Sequence, residues 1–424
     1  MLEYKYETNS FFNICYVNIS FPTYQPQRLA IKLSKKAEKF AQQGHPWIFE
    51  TSIAKQNKDG KSGDIAIIFH SRTNKLIAIG LYDPYSPIRI KVLSNGGHIQ
   101  VDDQFFLGKV TSAYKIREQS VLNHTDAYRL IYGENDGLPG FICDVYKDVA
   151  VIKLYSTIWL PYLESLTNAI VKVSNAKTVV LRMSRMVNSL PLESKMNLQD
   201  GDVIYGNLEN EETIISEHNT LFHVNVIKGH KTGYFLDHRF NRNKVGNMSM
   251  GKDVLDVFSY AGGFSAHAGK GGARSVTSID ISKQAIELSK KNMKLNQFKG
   301  KHYPIAGDAF VEMEKLIAQH AKYDIVVVDP PSFAKSNDDI AFAKKSYQRL
   351  AKYAIQLVRS GGICVMASCS SRIAKEEFFD LIESGFYKAQ GTSFSLLEKT
   401  FHDEDHHVNF KEGWYLKTGY WKIK

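Results

Sequence analysis

The chain has 424 residues, 43% of them hydrophobic, which is too long for one ordinary core and implies two or three domains. Its formal net charge of +10 favours a polyanionic partner, and no apolar run is long enough to cross a bilayer. Four cysteines (Cys15, Cys143, Cys364 and Cys369) without a CxxC pair argue against a disulfide framework or a zinc site and leave room for a single catalytic thiol.

Residues 1–27 show no clear period and are left unassigned. Residues 11–21 are rich in aromatic and β-branched types but lack a basic start, a continuous apolar stretch and a small-residue cleavage site, so the chain is placed in the cytoplasm. Residues 28–103 alternate strands with turns. The runs 64–69 and 76–81 flank Ser71-Arg72-Thr73-Asn74 as a hairpin, and Asp83-Pro84 and Ser86-Pro87 break the chain before a strand at 88–93. In Gly44-His45-Pro46-Trp47-Ile48-Phe49 the turn precedes large aromatics, and Trp47 and Phe49 read as core.

Residues 104–221 change pattern. Helix-like stretches at 105–119 and 162–173 surround strands at 141–145 and 149–155, followed by strands at 178–181 and 203–206, so this is an α+β domain. The glycine-rich turn at 133–140 opens a strand, not a helix, which reads as turn chemistry and not as a phosphate cradle. From 222 to 424 strands and helices alternate: 254–258, 263–270, 275–279, 283–295, 304–306, 310–319, 325–328, 340–358, 363–367 and 375–384. Repeated βα units imply a mostly parallel sheet covered on both faces. Charge follows this division. Basic against acidic residues number 13 to 9 over 1–104, 11 to 14 over 105–221 and 30 to 21 over 222–424, so the basic excess lies in the outer segments.

The chemistry gathers at the strand ends of the last segment, where doubly wound sheets bind ligands. Asp256-Val257-Phe258-Ser259-Tyr260-Ala261-Gly262-Gly263-Phe264 sets an acid on a strand and paired glycines before a helix. It lacks the G-x-G-x-x-G spacing that presents helix N–H groups to a pyrophosphate. S-adenosylmethionine has no pyrophosphate and tolerates an acid near its cationic groups, so it suits this loop better than a dinucleotide does; the loop also reads as a tight βα turn. Asp280 ends the second strand, where it can accept ribose hydroxyls, and Asp308 ends the third, where it can meet an adenine amino group. Each acid alone reads as a helix N-cap; three in succession read as a cofactor site.

In Asp329-Pro330-Pro331-Ser332-Phe333 the prolines remove backbone donors and stiffen the wall, while Phe333 offers a face to an extruded base. Ser368-Cys369-Ser370 ends the next strand. Cys364 reads as a small core residue, whereas Cys369, flanked by hydroxyls and followed by Arg372 and Lys375, reads as an activated nucleophile. Cytosine C5 is a weak nucleophile until a thiolate adds at C6, and Asp329 would hold N3 or the exocyclic amine meanwhile. Upstream, Asp237, Arg239 and Arg242 are expected to cap the cofactor's methionine end, with Asp237–Arg239 pairing as the alternative. His402, His406 and His407 lack a closed ligand set, so no metal is expected.

On these residues the chain resembles the RlmI-type 23S ribosomal RNA cytosine-C5 methyltransferases, from about residue 28 to residue 417. Gly44-His45-Pro46-Trp47-Ile48-Phe49 and the segment 80–89 match the family's PUA domain, and the segments 129–134 and 136–140 match its central EEHEE-type domain. Residues 231–237, 258–264, Asp329-Pro330-Pro331-Ser332-Phe333, Ser368-Cys369-Ser370 and Tyr415-Leu416-Lys417 match its catalytic domain. The resemblance implies a PUA-like domain (28–103), an α+β domain (104–221) and a Rossmann-like class I methyltransferase domain (222–424). It implies S-adenosyl-L-methionine as cofactor, held by Asp256, Phe258, Ser259, Tyr260, Gly262, Asp280, Asp308, Asp237 and Arg239. It further implies Cys369 as nucleophile, Asp329 as its catalytic partner, and Pro330, Pro331 and Phe333 at the base. The partner would be 23S ribosomal RNA, naked or partly assembled, with no membrane and with a homodimer left open. A related group carries a product-releasing cysteine where this chain has Asp329, so the base that removes the C5 proton is unidentified. A base N-methyltransferase and a non-catalytic RNA-binding assembly factor are the competing readings.

Overall fold

A computed structural model describes residues 21, 23–334, 336–389 and 393–424. Cys15 and most of the unassigned stretch 1–27 lie outside the described residues. The chain forms two compact units.

The first unit begins with β1 (Arg28–Leu33), α1 (Lys35–Gln42), β2 (Trp47–Ile48), β3 (Ile53–Gln56), β4 (Ile65–Phe69), β5 (Leu76–Tyr82) and β6 (Ile90–Asn95), whose sheet runs β2-β6-β5-β4-β1-β3. Alternate residues face inward, so Leu29, Ile31 and Leu33 meet Ala66, Ile68 and Ile90 in one core. The same alternation corrects the expectation for Trp47 and Phe49. Ile48 between them is buried, while Trp47 is half-buried and Phe49 is 43% exposed.

Next come α2 (Asp103–Ser120), β7 (Ala127–Tyr132), β8 (Phe141–Tyr146), β9 (Val149–Leu154), α3 (Leu163–Ser174), β10 (Thr178–Met183), α4 (Arg185–Asn188) and β11 (Val203–Tyr205). Strands β8 and β9 are antiparallel, and α3 is the crossover that makes β9 and β10 parallel. Strand β7 belongs to the second unit.

The second unit also holds the hairpin of β12 (Glu212–Glu217) and β13 (Thr220–Asn225), which turns through His218 and Asn219 at φ of 46° and 62°. A boundary at 222 therefore falls inside β13. The hairpin is bonded to the catalytic unit: Leu221 N–H donates to Asn296 Oδ1 at 2.8 Å and His223 N–H to Asn292 Oδ1 at 2.9 Å.

The unit continues with α5 (Arg239–Asn247), β14 (Asp253–Val257), α6 (Gly263–Lys270), β15 (Ser275–Asp280), α7 (Lys283–Leu295), β16 (Lys301–Ala306), α8 (Ala309–Ala318), β17 (Tyr323–Val328), α9 (Ile340–Leu357), β18 (Val358–Ser368), α10 (Lys375–Tyr387), β19 (Phe394–Thr400) and β20 (Lys417–Ile423). Its sheet runs β16-β15-β14-β17-β18-β20-β19. The first five strands are parallel, and β20 lies antiparallel between β18 and β19. Strand order reverses between β14 and β17, which opens a crevice beyond their carboxyl ends.

A buried ion network fixes what stands in front of this sheet. Glu217, fully buried at the end of β12, is forked by Arg242 of α5 at 2.7 and 2.6 Å and accepts from His267 Nε2 of α6 at 2.8 Å. Burial alone would raise the Glu217 carboxyl, but the Arg242 guanidinium outweighs it and holds the carboxyl well below the usual range. Glu217→Ala strands a buried guanidinium and is expected to cost about 3–5 kcal/mol in chemical denaturation. Removing the exposed Glu287–Lys290 pair on α7 should leave the unfolding midpoint unchanged within error.

Candidate active site

The loop after β14 is strained. Phe258 and Tyr260 take φ of 65° and 48°, and Gly262 takes 74°. A Cβ on Gly262 would stand 2.3 Å from Ser289 Oγ, so only glycine fits there. Ser259 N–H donates to Ile279 O at 2.9 Å, and Tyr260 N–H to Asp280 Oδ2 at 2.9 Å. Such conformations persist where surrounding bonds over-determine them, which is common at ligand sites.

The three expected cofactor acids do different work. Asp256 is fully buried, and its Oδ2 accepts from Ser265 N–H at 3.0 Å and Ser265 Oγ at 2.6 Å, which anchors the start of α6. That oxygen is thereby committed to the helix start, while Oδ1 is not. Burial pushes its carboxyl up to about 7 against the Ser265 bonds, with Asp329 and Asp280 adding to the rise. Asp280 is half-buried, and its Oδ1 accepts from Ser282 N–H at 2.9 Å. Asp308 is exposed and caps α8 through Val311 N–H at 3.1 Å. Phe258, Phe310 and Phe333 form an aromatic wall next to Asp308, with ring centroids 6.4–6.5 Å apart. Phe333 also meets Tyr347 at 5.3 Å and Phe342 at 6.5 Å, so it is built into this wall and is half-buried.

Carboxylates at the ends of β15 and β16 and an aromatic wall suit a nucleoside. Buried Ser259 Oγ and Asp256 Oδ1, which have no hydrogen-bond partner among the described residues, add polar capacity under the loop. The set fits S-adenosylmethionine.

The arginines differ from expectation. Arg239 spends its guanidinium on Asp403 Oδ2 at 3.1 Å, Asp405 Oδ2 at 2.9 Å and Ala127 O at 2.9 Å. Arg242 spends its own on Glu217 and on Phe235 O at 2.8 Å. The Arg242 fork and both terminal nitrogens of Arg239 are taken by protein acceptors, and among the described contacts Arg239 pairs with Asp403 and Asp405 and not with Asp237. Asp237 Oδ2 accepts from Tyr415 OH at 2.7 Å. His406, one of the histidines set aside as metal ligands, binds Asp405 Oδ1 through Nδ1 at 2.7 Å.

On the other side of the switch point, Asp329 follows β17 with its side chain 25% exposed, and its N–H donates to Val257 O at 3.2 Å. Pro330 is buried and Pro331 exposed. Cys369 follows β18, half-buried, with its thiol 3.9 Å from Pro330 O, so the two motifs do meet. Cys364 is fully buried, and burial pushes its thiol far up, as for a core residue.

The cations expected beside Cys369 are engaged elsewhere. Arg372 donates to Asn337 Oδ1 at 2.6 Å, and Lys375 Nζ sits 3.0 Å from the Trp414 ring centroid. Lys417 takes that place. It pairs across the sheet with Ser368, is 2% exposed, and donates to Ser370 O, to Ile373 O at 2.8 Å and to Tyr415 O at 3.0 Å. Burial pulls its ammonium down to about 8, and the negative charge of Cys369 works against that. Lys417 and His238, whose Nε2 lies 3.4 Å from Asp329 Oδ1, are the site groups that sequence reasoning missed. Both sit inside segments singled out for other residues.

These features define an S-adenosylmethionine-dependent methyltransferase, and the family model of that description matches residues 165–398. A PUA-like domain model matches residues 31–95. The chain is 37% identical over 406 residues to a ribosomal RNA large subunit methyltransferase of Deinococcus radiodurans, covering 94% of this chain and 98% of that one. It is 32% identical to the ribosomal RNA large subunit methyltransferase I of Tolumonas auensis, covering 91% and 97%. The chain belongs to the family of ribosomal RNA large subunit methyltransferases I. The fold agrees with a structure described as an S-adenosylmethionine-dependent methyltransferase from Streptococcus mutans, at 23% identity with a TM-score of 0.77 over 93% of this chain and 99% of that one. A methyltransferase solved with S-adenosylhomocysteine gives the same score and identity over 93% and 100%. Among the described residues no helix is long and apolar enough to cross a membrane.

The raised Asp256 carboxyl predicts a pH dependence. Between about pH 4 and pH 7 the folded chain keeps a proton that the unfolded chain has released, so stability falls as pH rises through that window. Asp256→Asn should flatten this slope, whose full extent is up to about 4 kcal/mol. Unfolding midpoints measured across the window check it.

Proposed function

We propose that this chain methylates large-subunit ribosomal RNA, forming 5-methylcytosine in 23S ribosomal RNA through a covalent Cys369 adduct. The single observation that carries the reading is the approach of the Cys369 thiol to the Pro330 carbonyl, one residue from Asp329, at the ends of adjacent strands. The names of the relatives support the RNA substrate.

Bound S-adenosylmethionine supplies an electrophilic methyl group. The residues of the chain supply the rest. Lys417 favours the negative form of Cys369, whose sulfur adds to C6 of cytosine and makes C5 electron-rich. Asp329 holds the exocyclic amine or N3 while charge moves into the ring. C5 takes the methyl group, and loss of the C5 proton then returns the bonding pair to the ring and expels the sulfur. The proline pair removes competing donors from the wall, and Phe333 packs behind it. Asp280 and Asp308 would hold the ribose and adenine, and Asp237, fixed by Tyr415, would serve the methionine end. We place the protein in the cytoplasm, where its RNA and a reduced thiol coexist.

Adduct chemistry needs a base taken out of its stack, which favours loops in naked or partly assembled RNA. Cys369→Ala is expected to abolish both turnover and the denaturation-resistant RNA adduct, with S-adenosylhomocysteine affinity within about twofold of wild type by calorimetry. Full turnover in Cys369→Ala would instead favour nitrogen methylation oriented by Asp329 and Pro330. Loss of S-adenosylhomocysteine binding by the wild-type protein would favour an assembly factor. With +9 of net charge on residues 222–424, RNA affinity should fall steeply with salt; a flat log K against log salt plot would contradict phosphate-led binding.

A further inference from the structure

His238 is buried, and nothing in the mechanism above uses it. Its Nε2 lies 3.4 Å from Asp329 Oδ1, an ion-pair separation, and makes no hydrogen bond among the described residues. Its Nδ1 lies 3.2 Å from Asn241 Nδ2. Asn241 is itself clamped: its Oδ1 accepts from Thr400 Oγ1 at 2.7 Å and from Tyr420 OH at 2.8 Å, and its Nδ2 reaches Thr418 Oγ1 at 3.4 Å. With the amide oxygen committed to two hydroxyls, the amide nitrogen is what faces the ring, so Nδ1 carries a lone pair and the proton sits on Nε2. Turning the amide over would put a proton on Nδ1, and Nε2 would still have to keep its own, because a bare lone pair there would face the carboxylate. Both arrangements leave a proton on Nε2, 3.4 Å from Asp329 Oδ1. Phe264 packs edge-on against the ring at 5.7 Å. The charged groups acting on it are Asp329, Asp237 and Arg242; burial opposes a charged ring, but the two carboxylates outweigh it and raise its pKa.

We infer that His238 is a positioning residue that holds Asp329 Oδ1 through Nε2–H and leaves Oδ2 as a pure acceptor, so that the site selects a base bearing an exocyclic amine. This rests on the methyltransferase reading above. An acceptor pairs with the amine of cytosine, whereas the carbonyl oxygen of uracil at the same position would set lone pairs against the carboxylate. Ring and carboxylate are carried by different elements, α5's leading edge and the loop after β17, so the contact is a tertiary one that aims the side chain.

Two measurements test this. In nitrogen-15 spectra of the free protein at neutral pH, the His238 Nε2 should appear protonated; an unprotonated Nε2 overturns the inference whatever the substrate proves to be. The second uses RNA spanning the mapped methylation site, with the target cytosine intact or replaced by 2-pyrimidinone, which lacks the amine. Binding is measured in a Cys369→Ala background so that no adduct forms. The amine-less RNA should bind about tenfold to a hundredfold more weakly. His238→Leu should collapse that ratio towards one, and His238→Gln, whose amide nitrogen can reach the same oxygen, should preserve it. Melting temperature and S-adenosylhomocysteine affinity report whether each variant is folded. A ratio unchanged in His238→Leu, or lost equally in His238→Gln, overturns the inference. If the mapped product is not 5-methylcytosine, the carbon-methylation reading fails while the Nε2 assignment is still decided by the spectra.

Discussion

The second unit depends on the burial of Arg242 against Glu217. A guanidinium and a carboxylate taken out of water together are tolerated because each fills the hydrogen-bonding capacity of the other, with His267 and the Phe235 carbonyl taking what remains. One turn earlier, Arg239 is held in the same manner by Asp403 and Asp405. Helix α5 is therefore fastened at two points on one flank, to the hairpin and to the segment before β20. His238 and Asn241, each of which directly precedes one of those anchors, inherit a fixed position. The ion pairs do no chemistry and decide where the chemistry can stand.

The loop after β14 is a second constraint of this type. Two non-glycine residues in left-handed backbone are costly, and the cost is met by bonds from β15 and by a glycine pressed against Ser289. Asp280 serves both this loop and the start of α7, so it ties the two together. Asp256, sealed beneath, keeps a carboxyl in apolar surroundings and is paired to the serine that starts α6.

The parallel sheet was legible in the sequence because each buried strand is a short apolar run ended by a turn, and because the chemical residues fall at those ends. The meeting of Cys369 with the proline motif follows from that placement once β17 and β18 are neighbours. What was not legible is every contact whose partner is remote. Arg239 and Arg242 read as ligand forks because their carboxylates lie 164, 166 and 25 residues away. Arg372 and Lys375 read as neighbours of the thiol because they follow it in sequence, whereas Lys417 reaches the Ser-Cys-Ser turn across the sheet. Phe49 read as core because it is aromatic, yet strand alternation turns it outward. The hairpin at 212–225 escaped because its turn is His-Asn, without the glycine that usually marks such turns.

Strand β20 has a temporal meaning as well. It is inserted between β18 and β19 and carries Lys417, whose ammonium bonds the Ser370 carbonyl, yet it is synthesised after every other strand of its sheet. Until it docks, β18 has an open edge and the Ser-Cys-Ser turn lacks the ammonium that gathers its carbonyls. During translation this sheet is therefore closed, and that turn fastened, in one late step.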